Sequence, residues 1–290
     1  MATSKNLGSV QFETGVNGLP KLILRHASGA TAEVYRLGAH VASWKAADGR
    51  ERLFLSRKSL FEEGTPIRGG IPVIFPQFGD GPLPKHGLVR TRSWAVKSAA
   101  VEADGTVEAV LALESDAATL AAWPFPFALE LAVRLGSGLA LALRVRNPGT
   151  APMPFQAAFH TYFAVDSIHE AQVVGLQGCD YLDSLRNRVR ETEARPAITF
   201  AAETDRIYPR VPDELHLDGS PGRRRLAIRQ RQMPDAVVWN PWIAKAQALP
   251  DFGDDEYLAM VCVETGTLQE VPPLAPGATW EGVAAYSLLP

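Results

Sequence analysis

The sequence predicts an all-β fold, a large antiparallel β-sandwich with a few short helices. The clearest evidence is the segment 127–145, in which apolar residues alternate with other residues on both sides of the turn GSG. Such alternation around a glycine-bearing turn is typical of a β-hairpin with one buried face. Similar short runs recur along the chain, separated by stretches rich in glycine and proline. Many short strands with little helix between them favour a sandwich.

The remaining elements are predicted from the same alternation and from helix-capping signals. The predicted strands are KLILRH (21–26), AEVYRL (32–37), two runs within 93–115, the hairpin 127–145, AQVVGL (171–176) and AAYSLL (284–289). A short helix is predicted between an N-cap at Ser115 or Asp116 and Pro124, with a turn or two of helix at 240–249 and 253–257. Because no repeat or linker divides the chain, we expect one domain over residues 1–290.

The composition is that of an ordinary globular protein and excludes several classes of function. The chain has 290 residues and a formal net charge of −3, with no basic tract, so nucleic acid is not an expected partner. It shows no apolar leader and no run long enough to span a bilayer, so we expect a cytoplasmic protein without membrane contact. The two cysteines, Cys179 and Cys262, lack the spacing of a metal site and are too few for a disulfide framework.

The run PFQAAFHTYFAVDSI, 154–168, places an ionisable side chain inside an apolar strand. Period-two alternation puts Phe155, Phe159 and Phe163 on a core face, and His160 with Tyr162 on the opposite face. That second face is polar and aromatic, which indicates a lined pocket. The alternative is a structural histidine that is buried and satisfied by one hydrogen bond.

A second ionisable residue ends an apolar strand in LAMVCVET, 258–265. Glu264 shares a face with Met260 and Cys262, so its carboxylate is expected to be poorly solvated. Burial raises a carboxyl pKa, and such a group can act as a general base near neutral pH. The alternative is a glutamate at a strand end that points into water.

The long segment 64–94 interrupts the strand pattern and is rich in glycine, proline and cations. Loops of this length inside a compact domain are usually functional. Arg68, Lys85, Arg90 and Arg92 offer charge for phosphate oxygens, which the planar guanidinium fork matches well. If LVRTRSW is extended, Arg90 and Arg92 share a strand face, and one of them is then an ordinary surface residue.

Two further residues suit contacts to a sugar, although neither is decisive alone. Asp205 in ETDRIY can accept hydrogen bonds from sugar hydroxyls, or it can cap a turn. Trp239 in VVWNPW can pack on the C–H face of a sugar ring, but an aromatic residue in a β protein is more often part of the core.

Taken together, these stretches resemble the aldose 1-epimerase, or galactose mutarotase-like, superfamily. Within it they are most similar to the hexose-6-phosphate branch, the glucose-6-phosphate 1-epimerases. The resemblance rests on motifs in the expected order: RGGIPVIFPQFG (68–79), KHGLVRTRSW (85–94), AFHTYFAVDSI (158–168), ETDRIY (203–208) and VVWNPWIAKAQALPDFGDDEYLAMVCVE (237–264). It implies a single β-supersandwich domain, a monomer without metal or other cofactor, and a small-molecule sugar phosphate as partner.

The resemblance also implies roles for individual residues. His160 matches the general acid of the family and Glu264 its general base. Arg68 and Arg90 match the arginines of the phosphate branch, Asp205 the aspartate that holds the sugar, and Gln77 and His86 sugar contacts. The implied reaction interconverts the α and β anomers of a hexose 6-phosphate, with glucose 6-phosphate as the expected substrate.

This chemistry requires one base for the anomeric hydroxyl and one acid for the ring oxygen. An imidazolium at His160 beside an ionised Glu264 is expected to supply both. Three alternatives remain open at this point. They are a glycoside hydrolase using two carboxylates such as Glu264 and Asp205, a mutarotase for free hexoses, and a sugar-phosphate binding protein without turnover.

Overall fold

The computed structural model describes residues 8–219 and 225–289 and confirms an antiparallel β fold. In chain order the strands are β1 Gly8–Thr14, β2 Pro20–His26, β3 Thr31–Tyr35, β4 His40–Lys45, β5 Val73–Ile74, β6 Ala95–Val101, β7 Val107–Glu114, β8 Ala128–Leu135, β9 Leu139–Arg146, β10 Ala157–Phe159, β11 Tyr162–Ala164, β12 Gln172–Val174, β13 Asp180–Asp183, β14 Val189–Thr192, β15 Ala197–Ile198, β16 Thr204–Tyr208, β17 Glu214–Asp218, β18 Leu226–Arg231, β19 Asp235–Asn240, β20 Met260–Thr267 and β21 Thr279–Leu288. Within the described ranges the α-helices are α1 Ala117–Ala122 and α2 Trp242–Ala248, and 3-10 turns lie at Val16–Gly18, Ser184–Arg186 and Glu256–Ala259.

The strands form three sheets. The first runs β1-β2-β3-β4, and the third runs β15-β12-β17-β18-β21-β9-β8-β7-β6. The second runs β14-β13-β16-β19-β20-β10-β5, with β11 also paired to β20. Strand β20 lies at the centre of this second sheet, where it pairs antiparallel with β19 on one side and with β10 and β11 on the other.

The predicted hairpin and helix are confirmed by the structure. Strands β8 and β9 pair from Ala128↔Arg146 to Leu135↔Leu139, so the turn falls at residues 136–138. Helix α1 begins after Asp116, whose side chain accepts a hydrogen bond from the backbone N–H of Thr119. The Thr119 side chain in turn accepts from the backbone N–H of Asp116, which completes a capping box.

The two faces of the second sheet have different neighbours, as the alternation predicted. Phe159, Phe163 and Val263 belong to the main hydrophobic cluster, which also takes residues from the first and third sheets. The Phe163 ring meets Tyr286 of β21 at 5.3 Å between centroids, so the core lies between the second and third sheets. Met260 and Cys262 point to the opposite face, in a smaller cluster. A core shared among all three sheets fits the single-domain prediction, which stays a prediction.

Two local expectations are corrected by the structure. The strand predicted around His160 is interrupted, because His160 and Thr161 lie between β10 and β11. The segment containing Arg90 and Arg92 is a succession of turns, so these side chains do not share a strand face. In both places a backbone contact outside the ladder takes precedence over strand pairing. The His160 N–H donates to the Pro72 carbonyl at 3.0 Å, and the Gly38 N–H donates to the Arg92 carbonyl at 2.7 Å.

Among the residues that the structure describes, no helix combines the length and apolarity needed to cross a bilayer. Both cysteines are free thiols; Cys179 is partly exposed and Cys262 is buried.

Candidate active site

A cavity of about 460 Å³ opens on the face of the second sheet away from the main core. Strands β11 and β20 form its floor, the loop around residues 78–90 forms one side wall, and β16 and β19 form the other. It gathers residues from distant parts of the chain. The lining includes the predicted site residues Arg68, His86, Arg90, His160, Asp205, Trp239 and Glu264.

His160 and Glu264 face each other at the bottom of this cavity. His160 Nδ1 lies 3.5 Å from Glu264 Oε1, and the two residues are 7% and 2% exposed. Neither His160 Nδ1 nor Glu264 Oε2 has a hydrogen-bond partner among the described residues. The burial of Glu264 excludes a side chain that points into water, and the unpaired His160 Nδ1 differs from the satisfied nitrogen of a structural histidine. The pair is therefore buried and adjacent, and these two atoms have no hydrogen-bond partner among the described residues.

The backbone around His160 is held on both sides. Its N–H donates to Pro72, and the hydroxyl of the next residue, Thr161, lies 2.8 Å from Tyr286 Oη on the core side. The imidazole itself stacks on Tyr162 at 4.8 Å between centroids and 9° between planes. His86 meets it edge-on at 5.1 Å. This packing restricts the ring to one orientation toward Glu264.

Burial controls the charge of this pair. It lowers the pKa of the His160 imidazole well below its ordinary 6.5, and the positive charges of Arg90 and Arg68 lower it further. Burial likewise raises the pKa of the Glu264 carboxyl well above its ordinary 4.5. Without substrate the pair therefore favours neutral imidazole and protonated carboxyl. This differs from the expected imidazolium–carboxylate, because loss of water disfavours both charges and the arginines repel an imidazolium.

Arg68 is oriented by two neighbours that hold separate nitrogens of its guanidinium. Nε donates to Asp251 Oδ2 at 3.1 Å, and Nη1 donates to Tyr162 Oη at 3.0 Å. Nη2 has no hydrogen-bond partner within the described ranges. Because the side chain is 18% exposed and lines the cavity, this last nitrogen remains available to an anion.

Arg90 and His86 come from the loop wall. Arg90 Nη2 donates to the Lys85 carbonyl at 2.8 Å, which leaves the rest of its fork for a ligand. Burial, followed by the charges of Arg90, Lys85 and Arg68, lowers the pKa of His86 to about 3. A neutral His86 can therefore donate or accept one hydrogen bond without adding charge.

The opposite wall comes from β16 and β19, where Asp205 and Trp239 are register partners. Burial raises the pKa of Asp205, while a hydrogen bond with Ser184 and the charge of Lys245 lower it in part. The Trp239 ring stands edge-on to His160 at 6.0 Å. This wall presents one carboxylate and one aromatic surface, which suits a polyhydroxylated ring.

Two predicted residues are not brought to the cavity. The Gln77 amide donates to the Gly79 and Leu83 carbonyls and accepts from the Leu83 N–H, so it shapes the loop and does not line the cavity. Arg92 pairs with Asp116 at 2.6 Å, at the cap of α1. A sugar contact by Gln77 and a phosphate contact by Arg92 are therefore not supported by their positions.

Other residues at the site were not identified from the sequence. Asp251 is the counter-ion of Arg68, and Lys245 and Arg188 line the cavity beside Asp205. The acidic run at 251–256 was a signal for Asp251, but nothing in it pointed to an arginine 183 positions away. Tyr162 was assigned to the His160 face, yet its bond to Arg68 had no sequence signal.

Comparison with known proteins identifies what this chain is similar to. Residues 20–287 match the family model described as aldose 1-epimerase. A protein of Cenchrus ciliaris named "Putative glucose-6-phosphate 1-epimerase" is 41% identical over 283 residues, which cover 94% of this chain and 86% of that protein. A protein of the same name from Escherichia coli K12 is 34% identical over 236 residues, 80% of this chain and 78% of its own. The crystal structure of "a putative mutarotase (YeaD)" from Salmonella typhimurium superposes with a TM-score of 0.85 at 26% identity, covering 100% of this chain and 96% of that one.

Proposed function

The chain belongs to the aldose 1-epimerase family of isomerases, and on this premise we propose that it interconverts the α and β anomers of a hexose 6-phosphate, in particular glucose 6-phosphate. One observation carries the proposal. A buried imidazole and carboxyl, 3.5 Å apart, share a cavity with two arginines that hold uncommitted donors. The relatives named for glucose 6-phosphate support the choice of substrate.

In the proposed mechanism, Glu264 takes the proton from the anomeric hydroxyl. The electrons of that O–H bond form the C1=O1 double bond as the C1–O5 bond breaks, and His160 gives a proton to O5. Rotation about C1–C2 in the open aldehyde presents the other carbonyl face, and the same two residues run the step backwards. Each positioned acid or base contributes about 10²–10⁴-fold to the rate.

The substrate itself helps to set the required charges. Arg68 and Arg90 lower the pKa of His160, and a phosphate dianion bound between them offsets their charge. The proton on the pair then shifts toward the imidazole, and the carboxylate is left as the base. His160 and Glu264 share one titratable proton before and after this shift. Substrate binding therefore moves that proton from the carboxyl to the imidazole without proton uptake from solvent.

The remaining side chains hold the sugar in place. Asp205 accepts hydrogen bonds from ring hydroxyls, His86 donates or accepts one, and Trp239 covers an apolar C–H surface. Fixing the ring between these groups brings O1 and O5 to the pair, which contributes to the rate by positioning.

The test is anomer exchange of glucose 6-phosphate followed by two-dimensional exchange NMR. Catalytic amounts of wild type should give exchange cross-peaks between the two anomeric protons above the protein-free rate. Glu264→Gln keeps the shape of the side chain but removes the base, so it should lose at least about 100-fold in kcat. Binding shown by line broadening without faster exchange would instead indicate a sugar-phosphate binding protein, and equal rates for glucose would indicate a free-hexose mutarotase.

A further inference from the structure

We propose that His160, Cys262 and Glu264 form a binding site for a soft divalent cation such as Zn²⁺, and that the bound ion blocks the catalytic pair. One ligand atom from each residue can be chosen so that all lie within 4.8 Å of one another, and all three residues are buried. The binding is independent of the proposed function, whereas the inhibition rests on it.

The sheet brings the three residues together. Cys262 and Glu264 are two apart on β20 and therefore lie on the same face. Strand β11 pairs with β20 on one side, and its Tyr162 is the register partner of Cys262. His160 precedes Tyr162 by two residues in the chain. The thiol thus lies beside the cavity floor, next to the pair that the substrate uses.

The donor set matches the preferences of zinc. Imidazole nitrogen, thiolate sulfur and carboxylate oxygen are its usual protein ligands, at roughly 2.0–2.3 Å, and three of them leave a fourth position open. Tetrahedral bonds of those lengths place ligand atoms about 3.5 Å apart. The separation of His160 Nδ1 and Glu264 Oε1 is already 3.5 Å, and all three ligand atoms lie within 4.8 Å of one another.

Unsatisfied polar atoms and charge balance also favour a cation. His160 Nδ1 and Glu264 Oε2 are buried without hydrogen-bond partners among the described residues, which is costly for polar atoms. A thiolate and a carboxylate together neutralise a divalent ion, and the thiol proton of Cys262 and the carboxyl proton of Glu264 are both released to solvent on binding. One of the two cavity guanidinium groups, that of Arg68, is paired with Asp251, which reduces its repulsion of the ion.

The chain offers a matched control, because its other cysteine, Cys179, lies outside the cavity. Cd²⁺ is the probe, since a cadmium–thiolate bond has an ultraviolet charge-transfer band that reports binding without any enzyme assay. Wild type and Cys179→Ser should both show the band with one Cd²⁺ per chain. Cys262→Ser should lose it, and glucose 6-phosphate should compete with the ion in wild type. A band of full intensity in Cys262→Ser, or its loss in Cys179→Ser, would overturn the proposal.

The inhibition is measured separately, with Zn²⁺ and anomer exchange. Half-inhibition of Cys262→Ser, relative to its own metal-free rate, should need at least about 10-fold more Zn²⁺ than wild type, because even outer-shell changes cost about 10–100-fold in metal affinity. Unchanged Zn²⁺ sensitivity in Cys262→Ser would contradict the site while leaving the epimerase intact. If no variant catalyses exchange but the Cd²⁺ band depends on Cys262, the proposed function fails and the metal site stands.

Should Cys262→Ser not fold, as judged by circular dichroism, Glu264→Gln provides the second test. Removing this carboxylate must weaken Cd²⁺ binding by at least about 10-fold while the thiolate band keeps its position. Undiminished affinity in that variant would show that the thiol binds the ion without the pair, which also overturns the proposal.

Discussion

Replacing Asp251 by asparagine leaves the Arg68 guanidinium without its carboxylate partner. The pair joins Arg68 Nε to Asp251 Oδ2 at 3.1 Å, and the two side chains are 18% and 11% exposed, so solvent screens it little. Two unit charges about 4 Å apart, roughly the separation of the charge centres in such a pair, interact by about 4 kcal/mol at an effective dielectric constant of about 20. Removing one partner of a buried pair costs about 3–5 kcal/mol because the other charge stays buried. Asparagine keeps one hydrogen-bond acceptor, so we expect a loss of about 3 kcal/mol in the free energy of unfolding.

A double-mutant cycle measured by urea unfolding checks this value. Arg68→Met alone should cost a similar amount, because it strands the Asp251 carboxylate. The double variant Arg68→Met/Asp251→Asn buries no charge at this position. Its loss in the free energy of unfolding should therefore be about 2–3 kcal/mol smaller than the sum of the two single losses. Losses that add within about 0.5 kcal/mol would refute the reasoning, since they would mean that the two charges do not interact.

Three further changes have defined outcomes. Arg90→Ala should raise the KM for glucose 6-phosphate by at least about 10-fold and leave the KM for glucose unchanged, because a hydrogen bond to a charged group contributes about 1.5–3 kcal/mol. Equal effects on the two KM values in steady-state kinetics would show that Arg90 does not bind the phosphate. Burial, with a smaller effect of Arg90, lowers the pKa of His40 from 6.5 to about 3. Because the unfolded chain binds this proton more readily, the stability contributed by neutral His40 is complete above pH 6.5 and is lost as the pH falls toward 3. Between pH 8 and pH 5 wild type should therefore lose about 2 kcal/mol more than His40→Gln in urea unfolding, and parallel losses would contradict this. Gly69→Ala should destabilise by more than about 1 kcal/mol, because φ is +110° and a Cβ would collide with the Phe54 carbonyl oxygen; an unchanged melting temperature would count against this conformation.

The local sequence determined most of the fold and part of the site. Alternation alone predicted the hairpin of β8 and β9, and the capping signal at Ser115 or Asp116 predicted α1, whose N-cap is Asp116. The same period of two assigned His160 to a face opposite the phenylalanine core, and it placed Glu264 with Cys262. These features follow from neighbours a few positions apart, for which strand and helix geometry fix the direction of each side chain.

The family motifs added Gln77 and His86 and assigned roles to the other candidate residues, and the structure brings most of them to one cavity. Gln77 is the exception, because its amide is taken up by the backbone of its own loop. A motif records which residues recur, but hydrogen bonds within the loop decide whether a given side chain reaches a ligand.

Only the tertiary structure decided how the chemical groups meet. Three contacts join segments far apart in the chain. His160 meets Glu264, Arg68 bonds to Asp251 and Tyr162, and the Cys262 thiol lies close to His160. The charge state of the pair was decided there as well, since burial and nearby arginines reversed the expected protonation. The physical reason is that pairing register, loop path and exclusion of water are properties of the whole packed chain, whereas alternation and capping depend only on adjacent residues.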